Sequence, residues 1–485
     1  MTWLDGVAIA GYFAVLLGIG IRVMRKDAGS QALGSFLAAN RNMGLAQTTA
    51  STAATDLGGG FSIAMGGLGF TLGISGSWLI AISGLSVLMA AFLLVPRLKL
   101  WSDATGGLTT GDLFTARFGP IAGRIAALVV ALSWFSFVGG QIVAGGKLLQ
   151  ATLELSIDWA IGVAGVVILG YTAMGGLKAV IYTDVFQMVV LFFGIVILLV
   201  PLALIEVGGV AEMIAYFKAN PDTASMVDWT AVDLKQMLGW FLAVFPVWFV
   251  SIAAMQRVIA ARNAKVAQQA FVITGVPIEW PLFAVSATLV GMLAKMLIPD
   301  LTDPELATPM MILTVLPMGL AGIVIAAYIA AVMSTADSCL IGPVAIVTHD
   351  FYRGLWRKQA SDQELLRVAR WLTLILGVLA IGLAYRVPSI IDVILYAYTF
   401  AAAGLFFPML ALLYWPRATA AGATTSMILG GGAAVVWMVS GEPFNLSAAY
   451  LGWGVGLPSL VLVSLLTKHS QGENLDLFRR PNSSF

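Results

Sequence analysis

The chain has 485 residues, of which 11% are charged and 59% hydrophobic, and its net charge is +1. Soluble domains carry about 25% charged residues, so a soluble enzyme or scaffold is excluded, and a near-neutral balance offers nucleic acid no basic surface. The single cysteine, Cys339, excludes an intrachain disulfide.

Apolar runs of about 20 residues, the length that crosses a bilayer, recur from end to end. They predict an all-α membrane protein of thirteen spans, near 5–24, 43–72, 76–96, 120–153, 159–176, 179–206, 236–260, 268–297, 313–350, 366–386, 389–414, 418–438 and 447–467. The first run, Gly6–Met24, lacks the basic start and cleavage site of a signal peptide and reads as a retained span. Of the 26 basic residues, only Lys147, Lys218, Lys235, Lys295 and Arg386 fall on one side. The positive-inside rule then places the N-terminus outside and the C-terminus in the cytoplasm. The longest outer connection, Val207–Lys235, is acidic and holds a short amphipathic helix around Ala211–Lys218. The tail after Lys468 is short and polar.

The second span carries the strongest local signal, Ala54-Thr55-Asp56-Leu57-Gly58-Gly59-Gly60. Glycine costs about 1 kcal/mol in a helix interior relative to alanine, so three in succession invite a break. A break within the bilayer strands carbonyls unless protein or water meets them, and a buried acid beside it marks a functional site. The segment predicts a broken helix whose freed carbonyls hold a cation, although such glycines also suit close helix packing. Further on, Gly175–Gln187 is a polar cluster containing Lys178 and Asp184. Glu279, in GVPIEWPLF, and Asp392 are further acids within apolar runs, with no role readable from their positions. In Ala326–Ser338, the residues Ala331, Ser334, Thr335 and Ser338 share one helical face. Hydroxyls and carbonyls on one stripe suit a small hard cation, and Asp337 lies on its edge.

On these residues the chain resembles the sodium:solute symporter family, the sodium-coupled carriers of proline, pantothenate, sialic acid and sugars. The strongest motifs are Gly175–Gln187, Gln256-Arg257-Val258-Ile259-Ala260-Ala261-Arg262-Asn263 and Ala330-Ala331-Val332-Met333-Ser334-Thr335, and the likeness runs from the first span to about Trp415. The resemblance implies a LeuT-type core of two inverted five-helix repeats, 43–206 (spans 2–6) and 236–414 (spans 7–11). A leading helix and cytoplasmic loop, 1–42, an extracellular connection, 207–235, and two trailing helices with a cytoplasmic tail, 415–485, complete the chain.

By the same resemblance, the principal sodium lies between the carbonyls of Ala54, Leu57 and Ala331 and the hydroxyls of Ser334 and Thr335. A second sodium would use Asp184, Ser334 and Ser338, with Asp337 where related carriers have a serine, so the count of one or two stays open. Ile80 and Phe61 replace the glutamate and glutamine of the sugar carriers, which disfavours a sugar, whose hydroxyls would be left unpaired. The expected cavity residues are Asp56, Gly58, Gly59, Gly60, Phe61, Gln141, Trp248, Tyr396 and Tyr398, with no Lys or Arg at mid-depth. Asp56 either supports the sodium electrostatically, the preferred reading, or pairs with a solute ammonium group.

The resulting expectation is a monomeric sodium-coupled symporter in a bacterial inner membrane. It imports a small zwitterion or monocarboxylate, such as proline or pantothenate, by alternating access. A transporter-like sensor and a proton-coupled carrier of the same fold are the alternatives. No enzyme is expected: the chain has no H-E-x-x-H, Walker A or G-x-S-x-G motif, and its histidines are His349 and His469.

Overall fold

The computed structural model describes residues 1–27, 41–172, 177–387 and 389–468. The Gly175-Gly176 pair of the polar cluster, the loop before Arg41 and the tail after Lys468 lie outside the described residues. Among those described, ten helices are long and apolar enough to cross a membrane, and Trp3–Leu16 and Ile157–Leu169 are shorter apolar helices. Helices satisfy their own backbone groups, which hydrocarbon cannot do.

The elements that position the site are α1 (Trp3–Asp27), α2 (Leu45–Leu57), α3 (Gly59–Leu72), α4 (Trp78–Leu93), α5 (Pro120–Leu153), α6 (Leu177–Leu191), α7 (Leu234–Val244), α8 (Val247–Val250), α9 (Ile252–Ala260), α10 (Val285–Leu297), α11 (Leu320–Ile346) and α12 (Ile390–Tyr414). Helix α11 is the axis of the bundle. It is apolar around most of its circumference, as a helix without a solvent face must be, and it is buried throughout except at Leu320, Ile323 and Ile329. Helices α1, α5 and α6 pack around it. The trailing helices Ala420–Val439 and Ala448–Leu466 pack mainly on one another and on α12. The outer connection holds the expected short helix, Val210–Ala219, which buries Met213 and Phe217.

The second span is broken where its glycines stand: α2 ends at Leu57, Gly58 is non-helical, and α3 begins at Gly59. The seventh span, expected near 236–260, is also interrupted. Pro246 separates α7 from α8, and Ser251, in extended conformation, separates α8 from α9. The Ser251 hydroxyl accepts the Ala254 amide at 3.2 Å, which caps the renewed helix. A π-helical stretch, Thr274–Ala284, contains Pro277 and Pro281. Because proline offers no N–H, the ladder must widen around both.

Two helix starts within the bundle have their free amides met by carboxylates from elsewhere in the chain, as unpaired amide donors require. Asp5 accepts from Gly319 at 2.7 Å and Gly322 at 3.2 Å, at the start of α11. Glu305 accepts from Ile390 at 2.9 Å and Ile391 at 3.1 Å, at the start of α12.

Helices α3 and α10 cross backbone to backbone through glycines. A Cβ on Gly291 would stand 1.9 Å from the Gly66 carbonyl oxygen, and one on Gly69 would stand 2.0 Å from that of Thr288. Gly432, by contrast, has open space around it. Gly291→Ala should therefore destabilise the purified protein by the about 1–3 kcal/mol typical of overpacking, or more. Gly432→Ala should be neutral or stabilising by about 0.4–1 kcal/mol. Thermal unfolding in detergent compares the two, and equal melting temperatures would contradict the close crossing.

Candidate functional site: the helix break and its buried charges

The break at Gly58 faces α11. Thr335 donates its hydroxyl to the Ala54 carbonyl at 3.4 Å, across the two helices. A Cβ on Gly58 would stand 2.8 Å from the Thr335 Oγ1, so glycine lets the opened backbone touch that hydroxyl. The residue before it on α11, Ser334, donates to the Ala331 carbonyl one turn earlier, at 3.3 Å. Leu57 is buried at the break itself. The residues expected to hold the principal cation therefore lie on two packed elements: Ala54 and Leu57 on one side, Ala331, Ser334 and Thr335 on the other. Carbonyl and hydroxyl oxygens of this kind are the donor set of a hard monovalent cation.

The glycines also shape the wall beyond the break. The Gly60 amide donates to Gln141 Oε1 on α5 at 3.1 Å, and a Cβ at Gly60 would collide with that amide group at 2.8 Å. Phe61 meets Tyr398 edge-on with ring centroids 6.5 Å apart, and Tyr398 stacks on Phe137 at 5.4 Å. Gly58, Gly60, Phe61, Gln141 and Tyr398 thus form one buried group, with Gly59 opening α3 between them. Trp248, on α8, is buried against Phe271 and turned toward Asp56. Tyr396 stands apart from this group. It is 40% exposed and lines a separate cavity of about 470 Å³ with Asp392, Lys235 and Glu442.

Around Asp184 the arrangement differs from the sequence expectation. Its carboxylate accepts the Ser51 hydroxyl at 2.5 Å, lies against Ser334, and faces the Arg257 guanidinium at 3.6 Å. Arg257 is fully buried. It donates to Thr55 of α2 and, at 3.1 Å, to Ser338 of α11. The sequence counted Arg257 with the basic residues of the connection after the seventh span, whereas the structure buries it between α2, α6 and α11. The guanidinium already supplies a positive charge to Asp184 and Ser338, two of the residues expected to hold a second sodium. Asp337 is buried next to Ser338 in sequence.

Ser51, Thr55, Ser83 and Arg257 were missed by sequence reasoning. A hydroxyl stripe was legible in Thr48, Ser51, Thr52 and Thr55, but Thr48 and Thr52 bond back to carbonyls of their own helix, leaving Ser51 and Thr55 to reach partners. Asp56 is 4% exposed. It accepts the Ser83 hydroxyl of α4 at 2.8 Å and lies against Glu279, itself wholly buried.

Lys147 of α5 pairs with Asp303 and, at 3.5 Å, with Glu305. These residues line a cavity of about 520 Å³ that also borders Gly67 of α3 and Ser389. Burial raises the Glu305 carboxyl above its ordinary range, opposed by the Ile390 amide and by Lys147.

A model of the sodium:solute symporter family matches residues 36–430. The osmoregulated proline transporter OpuE of Bacillus subtilis is 26% identical over 97% of this chain and 96% of its own length. Sodium/proline symporter 2 of Staphylococcus saprophyticus is 27% identical over 96% and 92%. Among solved structures, a Na+-coupled sialic acid symporter in a substrate-bound outward-open state superimposes with a TM-score of 0.78 at 19% identity, covering 97% of this chain and 99% of that one. A nucleobase-cation-symport-1 family transporter in a closed conformation gives 0.57 at 13% identity, over 92% and 100%. The likeness at these identities is one of fold.

Removing one member of a buried ion pair leaves the other uncompensated, at about 3–5 kcal/mol. Arg257→Met should therefore lower the melting temperature strongly, and adding Asp184→Asn should recover much of the loss. A double-mutant cycle of unfolding temperatures measures this coupling; additive losses would mean that the two groups do not act as a pair.

Proposed function

Because the chain belongs to the sodium:solute symporter family, we propose that it is a sodium-coupled secondary transporter importing a small zwitterionic solute of the proline type. The observation that carries the reading is the contact between the opened α2 carbonyls and the α11 hydroxyls, with Thr335 on Ala54 at 3.4 Å. A sodium ion held by Ala54, Leu57, Ala331, Ser334 and Thr335 draws the broken helix onto the central one. When the ion leaves, those carbonyls lose their ligand and the two elements are free to separate. Sodium binding therefore biases which arrangement of the two elements is populated, as alternating access requires.

The architecture in this reading is thirteen spans with the N-terminus outside and the C-terminus in the cytoplasm, in a bacterial plasma membrane, working as a monomer. Two inverted repeats, 43–206 and 236–414, meet at the site. The interruptions at Gly58 and at Ser251 support the repeat, because each falls in the first span of its half.

The solute class rests on two supports. The relatives named above are proline carriers. The buried wall of Gly60, Phe61, Gln141 and Tyr398 offers few polar groups, which suits a compact solute better than a sugar. A monocarboxylate such as pantothenate fits the same wall but brings Asp56 no counter-charge. A proton-coupled carrier is the second reading, favoured by the contact of two buried carboxyl groups, Asp56 and Glu279.

Uptake into proteoliposomes tests the proposal. An inward sodium gradient at equal pH should drive accumulation of proline, and a proton gradient without sodium should not. Ser334→Ala with Thr335→Ala should raise the sodium concentration for half-maximal uptake by about tenfold or more, the cost of losing roughly 1.4 kcal/mol or more of ion binding. Thr335→Ser, which keeps the hydroxyl, should stay near wild type. Undiminished sodium dependence in the double variant would remove the assignment.

A further inference from the structure

The two buried acidic centres beside the break are balanced differently. Asp184 has Arg257 as a tethered counter-charge. Asp56 and Glu279 have none: among the described residues, no lysine, arginine or histidine forms an ion pair with either.

The pair is nevertheless built into the bundle. Glu279 stands on the π-helical stretch between Pro277 and Pro281 and is 0% exposed. Its carboxyl lies against that of Asp56, and neither of its oxygens receives a well-formed hydrogen bond. Gly84 lets the stretch approach α4 closely, since a Cβ there would stand 2.7 Å from the Gly275 carbonyl oxygen and 3.3 Å from the Glu279 Cβ. Ser83, the residue before it, donates to both Asp56 oxygens, at 2.8 and 3.0 Å. The indole Nε1 of Trp248 is likewise buried without a well-formed bond on the same side.

A lone buried carboxylate costs several kcal/mol, and a second one in contact adds repulsion that a dry interior screens poorly. A positive group between them offsets that repulsion and gives the Glu279 oxygens, which accept no well-formed hydrogen bond, a cation to bind. The direction of Asp56 separates this place from the principal site. On α2, Ala54 and Gly58 meet Thr335 of α11, whereas Asp56 meets Ser83 of α4 and Glu279.

We propose that Asp56, Glu279 and Ser83 form a site for one monovalent cationic group, the solute's ammonium or a second alkali ion, with Glu279 as a direct ligand. The inference rests on the reading of the chain as a cation-coupled carrier and deepens it. If the group is the solute's ammonium, the carried solutes bear a cationic nitrogen and pantothenate-like carboxylates are excluded. A secondary ammonium suits the place because its two N–H donors can serve one carboxyl each.

The test is equilibrium binding of radiolabelled sodium and proline to the purified protein, for wild type, Glu279→Gln, Glu279→Asp and Asp56→Asn, with unfolding temperatures to show that each is folded. If the group is the solute's ammonium, the Gln and Asn variants bind proline at least about tenfold more weakly at saturating sodium with the sodium count unchanged. Binding of tetrahydrofuran-2-carboxylate, the oxygen isostere without the ammonium, does not change. If the group is an alkali ion, both variants bind one sodium fewer per protein. In either case Glu279→Asp, which keeps the charge, recovers part of what Gln removes. The site is overturned if the folded Gln and Asn variants keep the wild-type sodium count and the wild-type affinity for every amine-bearing solute that the wild type binds. That outcome leaves the pair at most a proton. It is overturned equally if Glu279→Asp recovers nothing, since the role is then one of packing. A wild-type protein that binds no sodium at all sinks the transport reading instead, which keeps the two failures distinct.

Discussion

The structure depends on how an opened backbone is satisfied inside an apolar bundle. At Gly58 a helix gives up regular hydrogen bonding where water is excluded, and each stranded group would cost several kcal/mol alone. The chain answers with hydroxyls and an amide from other helices: Thr335 on the Ala54 carbonyl and Gln141 on the Gly60 amide. Both contacts need glycine, because a Cβ at either position would occupy the partner's place. The break, the central helix and α5 are therefore one construction, and displacing any of them exposes the others' unpaired groups.

Charge inside the bundle follows the same economy. Arg257 ties α2 to α6 and α11 by meeting Thr55, Asp184 and Ser338 together. A guanidinium suits this because its donors fan out in a rigid plane and its charge persists at any working pH. Asp5 and Glu305 perform a related service at the starts of α11 and α12, where free amides of a helix N-terminus attract a carboxylate. Each of these carboxylates is met by a charge or by helix-start amides. The Asp56–Glu279 pair has the Ser83 hydroxyl but, among the described residues, no basic side chain in ion pair with it.

A site assembled this way suits coupling. The oxygens proposed to hold the cation come from a broken helix and from the helix it leans on, so occupancy and relative position are one variable in that proposal. Ser334 bonds back to Ala331 and also lies against Asp184, so it touches both the proposed cation ligands and the Arg257 network. A change at either is felt at the other without any longer path.

Much of this was legible in the sequence, because it is local. Composition and run length set a membrane protein, three successive glycines marked the break, and helical spacing put Ala331, Ser334, Thr335 and Ser338 on one face. Those properties belong to a dozen neighbouring residues and survive any packing. The tertiary structure decided which side chains from distant segments meet. Arg257 stood at the end of an apolar run like any interface charge, yet its partners lie 202 residues back, at Thr55, and 81 ahead, at Ser338. Ser51 reaches Asp184 across 133 residues. Glu279 resembled an isolated acid until the prolines of its π-helical stretch and the small face at Gly84 brought it to Asp56. Tyr396 and Tyr398, two residues apart on one helix, point into different surroundings, one to the separate cavity and one to the buried wall. Periodicity assigns a residue to a face of its helix, but only packing determines what that face meets.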